Sequence, residues 1–163
     1  MPLANRFSRT MAPIAMLPKV LQAPLRSLVL GRFVPFVGTA GLRIEELTHE
    51  RAVITIANAR HVRNHIGNVH AAAVALLAET ASGFVVGMNV PDASVPVIKT
   101  LRVDFLKRPQ GAMRAVAELT PEQLEAIRTT PKGETPVRVT VSDGTGREPV
   151  ACEMIWAWVP KRR

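Results

Sequence analysis

The sequence predicts an α+β domain: one curved, mostly antiparallel sheet wrapped around one long buried helix, with an N-terminal helical extension in front. Three observations predict it. Residues 69–88 read VHAAAVALLAETASGFVVGM, rich in the helix formers Ala and Leu and apolar on every side, as a buried central helix must be. Beyond Pro91 the apolar period changes to two, the period of strands. Finally, too few helices alternate with strands for a doubly wound sheet, whereas one sheet around one helix fits the order.

The elements follow in turn. Residues 38–47 and 51–57 read as two strands joined by the short polar turn Thr48-His49-Glu50. Residues 58–68 are polar and read as a loop. After the helix, a strand over 95–106 puts Val97, Leu101, Val103 and Phe105 on one face against Ile98, Thr100, Arg102 and Asp104. A strand over 112–119 comes next. Thr120-Pro121-Glu122-Gln123 then has the capping-box arrangement with Pro at the first helical position, which predicts a short helix through Arg128. Residues 136–142 alternate around Val137, Val139 and Val141, Asp143-Gly144-Thr145-Gly146 is a turn, and 150–159 is the last strand.

With 163 residues the chain is one domain's worth, and 47% hydrophobic residues without a single Tyr imply a core of Val, Ala, Leu and Ile. Residues 1–32 are set apart as a basic extension, and residues 33–163 as the domain proper. No acidic residue precedes Glu45, while Arg6, Arg9, Lys19, Arg26, Arg32 and Arg43 supply most of the net charge of +8. That leaves +2 for the remainder, and no helix-turn-helix, zinc-finger or aromatic–basic pattern is present, so no nucleic-acid partner is expected. The extension has three readings. It resembles an organellar transit peptide, being Arg-rich and acid-free. It could lie on an anionic membrane surface, because Ile14, Leu17, Leu21, Leu25, Leu28 and Val29 recur at helical spacing. Or it packs on the domain. Pro13, Pro18 and Pro24 are expected to break any long helix, which excludes a span. Without a secretory signal, a cytoplasmic location is the default. Cys152, the single cysteine, excludes an internal disulfide and reads as a small core residue.

Glu79 is the chemical candidate. A carboxylate inside an apolar helix is costly unless something satisfies or uses it. The structural reading pairs it with Arg102 or another base. The functional reading makes it a general base or nucleophile facing a water-poor cleft. At the other end of the helix His70 and Ala71 present unpaired backbone N–H groups and the positive end of the helix dipole, suited to an oxyanion. Asn64, His65 and Asn68 add polar groups before it. Nine residues separate His70 from Glu79, roughly 13 Å along a helix at ~1.5 Å per residue. Both can act on one carbonyl only if Glu79 meets the helix start of a second subunit, so the hypothesis requires a homodimer.

At these residues the chain resembles a known family. Asn64-His65-Ile66-Gly67-Asn68-Val69-His70-Ala71-Ala72, followed by Leu77-Ala78-Glu79, is similar to the signature of the hotdog-fold thioesterases, in particular the phenylacetyl-CoA thioesterase-like group. That pattern runs N-x-x-G-x-x-H-G-G with an acid nine residues after the His. The run RNHIGNVHAAAVALLAE, with KTLRVDFLKRPQGAMRAVAEL downstream, resembles a poorly characterised bacterial branch of the superfamily, and the resemblance covers roughly residues 33–159. It implies a hotdog fold and hydrolysis of an acyl-CoA. Glu79 would activate water or attack the thioester, and the Ala71 N–H would polarise its carbonyl. His70 would set the helix start, with Asn64 positioning the carbonyl or the water. Gly67 and Asn68 would help bind substrate. Ala71-Ala72 stands where the pattern has Gly-Gly. Thr80, Ser82 and Ser94 are candidates for a hydroxyl near the acid. Lys99, Arg102, Lys107 and Arg108 are candidates for the coenzyme A phosphates, coenzyme A being part of the substrate. No other cofactor and no metal is expected, and the dimer could pair into a tetramer. A non-catalytic dimer that binds acyl-CoA or a lipid is the alternative. A hydratase or dehydratase would carry a different His and acid arrangement.

Overall fold

The computed structural model describes residues 5–161. Three helices come first: α1 (Arg6–Ala15), α2 (Lys19–Phe33) and α3 (Pro35–Ala40). The hairpin β1 (Arg43–Leu47) and β2 (Arg51–Ile56) leads through a 3-10 turn at Arg60–Val62 into α4 (Ala71–Gly87). Then come β3 (Ser94–Phe105), β4 (Met113–Glu118), α5 (Pro121–Thr129), β5 (Gly133–Asp143) and β6 (Val150–Pro160). The six strands form one sheet in the order β1-β2-β4-β5-β6-β3, every pair antiparallel. Bulges between Ile44 and Glu46 and between Ile98 and Thr100 bend it.

The sheet curves around α4, as the sequence predicts. Val74, Leu77, Ala78, Ala81, Val85 and Val86 are wholly buried there. Each Val or Leu contributes about 2 kcal/mol, so packing, more than propensity, holds the helix. The capping box of α5 is present in full, with the Thr120 hydroxyl accepting from the Gln123 N–H and the Gln123 carboxamide accepting from the Thr120 N–H.

Three expectations need correcting. The strand expected over 38–47 begins only at Arg43; Pro35 starts α3, and Gly41, at φ +69°, ends it. Pro13 and Pro24 lie inside α1 and α2, and Pro18 alone separates two helices. The bulge between Ile98 and Thr100 turns Val97 to the face opposite Leu101, Val103 and Phe105, and Val97, Leu101 and Phe105 are 43, 45 and 45% exposed. β3 lies at the sheet edge, and of Leu101, Val103 and Phe105 only Val103 is packed against the core.

The extension is packed on the domain. Asn5 caps α1, and its Nδ2 donates to the Gly87 and Val90 carbonyls at 2.7 Å each. The Arg6 N–H and the Arg9 guanidinium both bind Asp92. Buried Arg26 donates to the Glu45 carbonyl of β1 at 2.9 Å, and burial lowers its pKa. Among the described residues no helix is long and apolar enough to cross a membrane.

Candidate functional site

Glu79 occupies the middle of α4, half-buried, with no ion pair among the described residues. Burial pushes its carboxyl above the ordinary carboxylate range. The adjacent Thr80 hydroxyl opposes part of that rise but is too poorly aligned to count as a hydrogen-bond partner. Arg102, the partner of the structural reading, binds Asp104 at 2.9 Å instead.

The carboxyl opens on a cavity of about 570 Å³ between α4 and the extension. Thr80 and Gly83 share the α4 side with it, Phe7 and Met11 of α1 and Phe33 of α2 form the facing wall, and Trp156 of β6 closes one flank. The local sequence explains this shape. A Cβ on Gly83 would stand 2.7 Å from the Trp156 ring, so glycine lets the indole lie against the helix. The Trp156 Nε1 donates to Ser82 at 2.9 Å and fixes the ring. Phe7 packs on Phe84 and Phe33 at centroid distances of 5.7 and 6.3 Å. The size falls within the ~300–1,000 Å³ usual for small-molecule sites, and the lining is mostly apolar.

The second group of predicted residues gathers at the other end of α4. His70 is the N-cap, its Nδ1 accepting from the Ala72 N–H at 3.1 Å. The Ala71 N–H has no partner among the described residues and is exposed, as are Ala71 and Ala72 as a whole. The loop before it is tied down: the Asn64 Oδ1 accepts from the Ile66 and Asn68 N–H groups at 3.1 Å each, leaving its own NH₂ free to donate. Gly67 turns the loop at φ +80°, a left-handed conformation that favours glycine, and its carbonyl accepts from Asn58. His65 is exposed beside them.

The four basic candidates do not form one cluster. Lys99 is paired with Glu134 and Arg102 with Asp104. Arg108 folds over the loop, donating to the Ile66 carbonyl at 3.1 Å and, in the amide orientation that satisfies both atoms, to Asn68 at 2.8 Å. Neither Lys107 nor Arg108 has an ion-pair partner among the described residues, and the Lys107 side chain makes no hydrogen bond there either. Of the hydroxyl candidates, Ser82 is held by Trp156 and Ser94 donates to the Pro131 carbonyl, whereas Thr80 is buried beside Glu79.

One chain therefore keeps the two groups apart, an acid in a cavity and an open helix start. No sequence signal marked the extension as a wall of that cavity, since which face of α1 and α2 turns inward depends on tertiary packing. Cys152, half-buried on β6, takes no part: burial and the nearby Asp104 carboxylate push its thiol up to about 11.

Comparison with known proteins places the architecture. The family described as a Domain of unknown function (DUF4442) matches residues 23–159. No curated protein matches the sequence. Among solved structures, a Pseudomonas aeruginosa protein of unknown function, called a probable thioesterase, is 24% identical, with a TM-score of 0.74, covering 89% of this chain and 97% of its own. A Haemophilus influenzae thioesterase is 14% identical, with a TM-score of 0.65 over 80% of this chain and 88% of its own. A thioesterase family protein from Silicibacter pomeroyi is 17% identical, with a TM-score of 0.65 over 83% of this chain and 96% of its own. At these identities the likeness shows the fold, which is the hotdog fold.

Proposed function

The chain belongs to the DUF4442 family, and from the site its fold builds we propose that it is an acyl-CoA thioesterase acting as a homodimer. The observation that carries this reading is Glu79: a carboxylate without a counterion, raised by burial, on the wall of an apolar cavity fit for an acyl group. The ionised carboxylate takes a proton from water, whose oxygen attacks the thioester carbon. The oxyanion so formed is met by the free N–H at Ala71 of the partner subunit, in line with the positive end of α4. Collapse expels the coenzyme A thiolate, which takes the proton back from Glu79, leaving free acid and free thiol. Direct attack by Glu79, with water then opening the mixed anhydride, uses the same two groups. Asn64, through its free NH₂, positions the carbonyl, His70 fixes the helix start, and the loop of Gly67 and Asn68 borders the entering thioester. Thr80 steadies the water beside Glu79. Lys107 is the cation available to a coenzyme A phosphate.

The homodimer draws its support from β3. A long edge strand with one unpaired side and exposed Val97, Leu101 and Phe105 is a template for a second copy, and edge-to-edge pairing around a two-fold axis makes two equivalent sites.

A panel of acyl-CoA thioesters of increasing chain length, assayed by free thiol, tests the chemistry. Glu79→Gln is expected to slow turnover by about 10²–10⁴, the usual worth of a general base. Hydrolysis of a good substrate at full rate by the Glu79→Gln protein would remove the proposal. Ala71-Ala72 in place of the glycine pair favours one other reading, a binding dimer. Tight acyl-CoA binding without thiol release at any chain length would establish that reading.

A further inference from the structure

Among the described residues no element covers the outward face of α2. At 100° per residue, buried Ala23, Arg26 and Leu30 define the face turned to the domain. Half a turn away lie Leu21, Pro24 and Leu28, all exposed, with Leu28 at 61%. Met16, at 89%, and Leu17 extend the strip through the turn before α2, and Val20, at 76%, flanks it. A surface helix is ordinarily polar on that side. Here the charged residue bordering the strip is a cation, exposed Arg32, while exposed Lys19 starts the helix one turn before Ala23; neither has a partner among the described residues. No acidic residue occurs in the described chain before Glu45.

We propose that this face docks α2 on an anionic membrane surface, lying in the headgroup layer with Leu21 and Leu28 inserted and Arg32 on the lipid phosphates. Charge decides the occupant. Two copies meeting through this strip would bring Arg32 of each into an apolar contact to which no described residue before Glu45 contributes a carboxylate. An anionic bilayer supplies both an apolar layer for the strip and negative charge for its border. The proposal is independent of the chemistry at Glu79. It also gives the extension a second side: the inner face walls the cavity, and the outer one faces lipid.

The test is co-sedimentation of the full chain with vesicles of phosphatidylcholine alone or with about 30% phosphatidylglycerol. Binding is expected only to the anionic vesicles and should weaken as salt rises. The charge variant Arg32→Glu is expected to bind at least roughly 5-fold more weakly, the worth of one membrane contact of ~1 kcal/mol. Leu21→Ser/Leu28→Ser should also lose vesicle binding while keeping the parent circular dichroism and thiol-release rate. The charge variant covers the case in which the serine variant fails to fold. Equal binding to neutral and anionic vesicles, or none to either, overturns the proposal. So does a larger oligomer that dissociates when Leu21 and Leu28 become serine.

Discussion

Over its C-terminal half α4 is enclosed, with the sheet on one side, Phe7 of the extension and Val37 of α3 on the other, and Asn5 bonded to its last carbonyl. At its N-terminal end the same helix stands open: Ala71 and Ala72 are exposed and the Ala71 N–H is unclaimed. Each state suits the group it holds. Glu79 needs a water-poor wall to become basic, whereas a hydrogen-bond donor for a passing carbonyl must be reachable. The two cannot occupy one spot on one helix, so in the proposed reaction each helix serves two sites. At the enclosed end the extension supplies part of the cover, with Phe7 packed on Phe84.

The contrast can be broken most severely at the open end. Ala71→Pro removes the one N–H while keeping the helix, because Pro is tolerated at the first position and His70 already has the extended backbone (ψ 142°) that precedes Pro. Thiol release is expected to fall by about 10²–10³. Mixing this variant with Glu79→Gln, unfolding and refolding together, should restore roughly one quarter of the parental rate, since half the dimers are mixed and each has one intact site. No recovery would show that both groups act within one subunit or not at all. At the enclosed end, Gly83→Ala would drive a methyl into Trp156 and is expected to cost about 1–3 kcal/mol in urea denaturation, with loss of long acyl substrates before short ones. His70→Ala, which deletes the cap on Ala72, should lower stability by about 1 kcal/mol in the same measurement.

The smallest effect is a slope. Because the folded state raises the Glu79 pKa, it binds that proton more tightly than the unfolded chain does. The resulting stability is fully present below the ordinary carboxylate value and is lost as pH rises through the raised one. Glu79→Gln should remove this decline, leaving the variant at least as stable as the parent near neutral pH by thermal melting. A variant clearly less stable at pH 7 would mean that Glu79 has a structural partner.

Much of the fold was legible in the sequence. The apolar run of α4, the period-two strands and the capping box of α5 are each local signals that the tertiary structure reinforces. What was not legible depends on neighbours. Pro35, after the strand-like Phe33 and Val34, starts a helix because that helix packs against α4 through Val37. The alternation in β3 put Val97 with Leu101, Val103 and Phe105, but a bulge set by pairing with β6 turns it to the other face. At the site, Glu79 and the loop through Ala71 could be found by residue type and spacing. Arg108 could not be assigned to the Ile66 carbonyl, because that bond spans 42 residues.

The state of Cys152 has a practical corollary. A chain whose single sulfhydryl stays protonated throughout the neutral range reacts sluggishly with disulfide indicators. Colour developed with such reagents in a hydrolysis assay then comes from released coenzyme A, with almost no background from the protein itself.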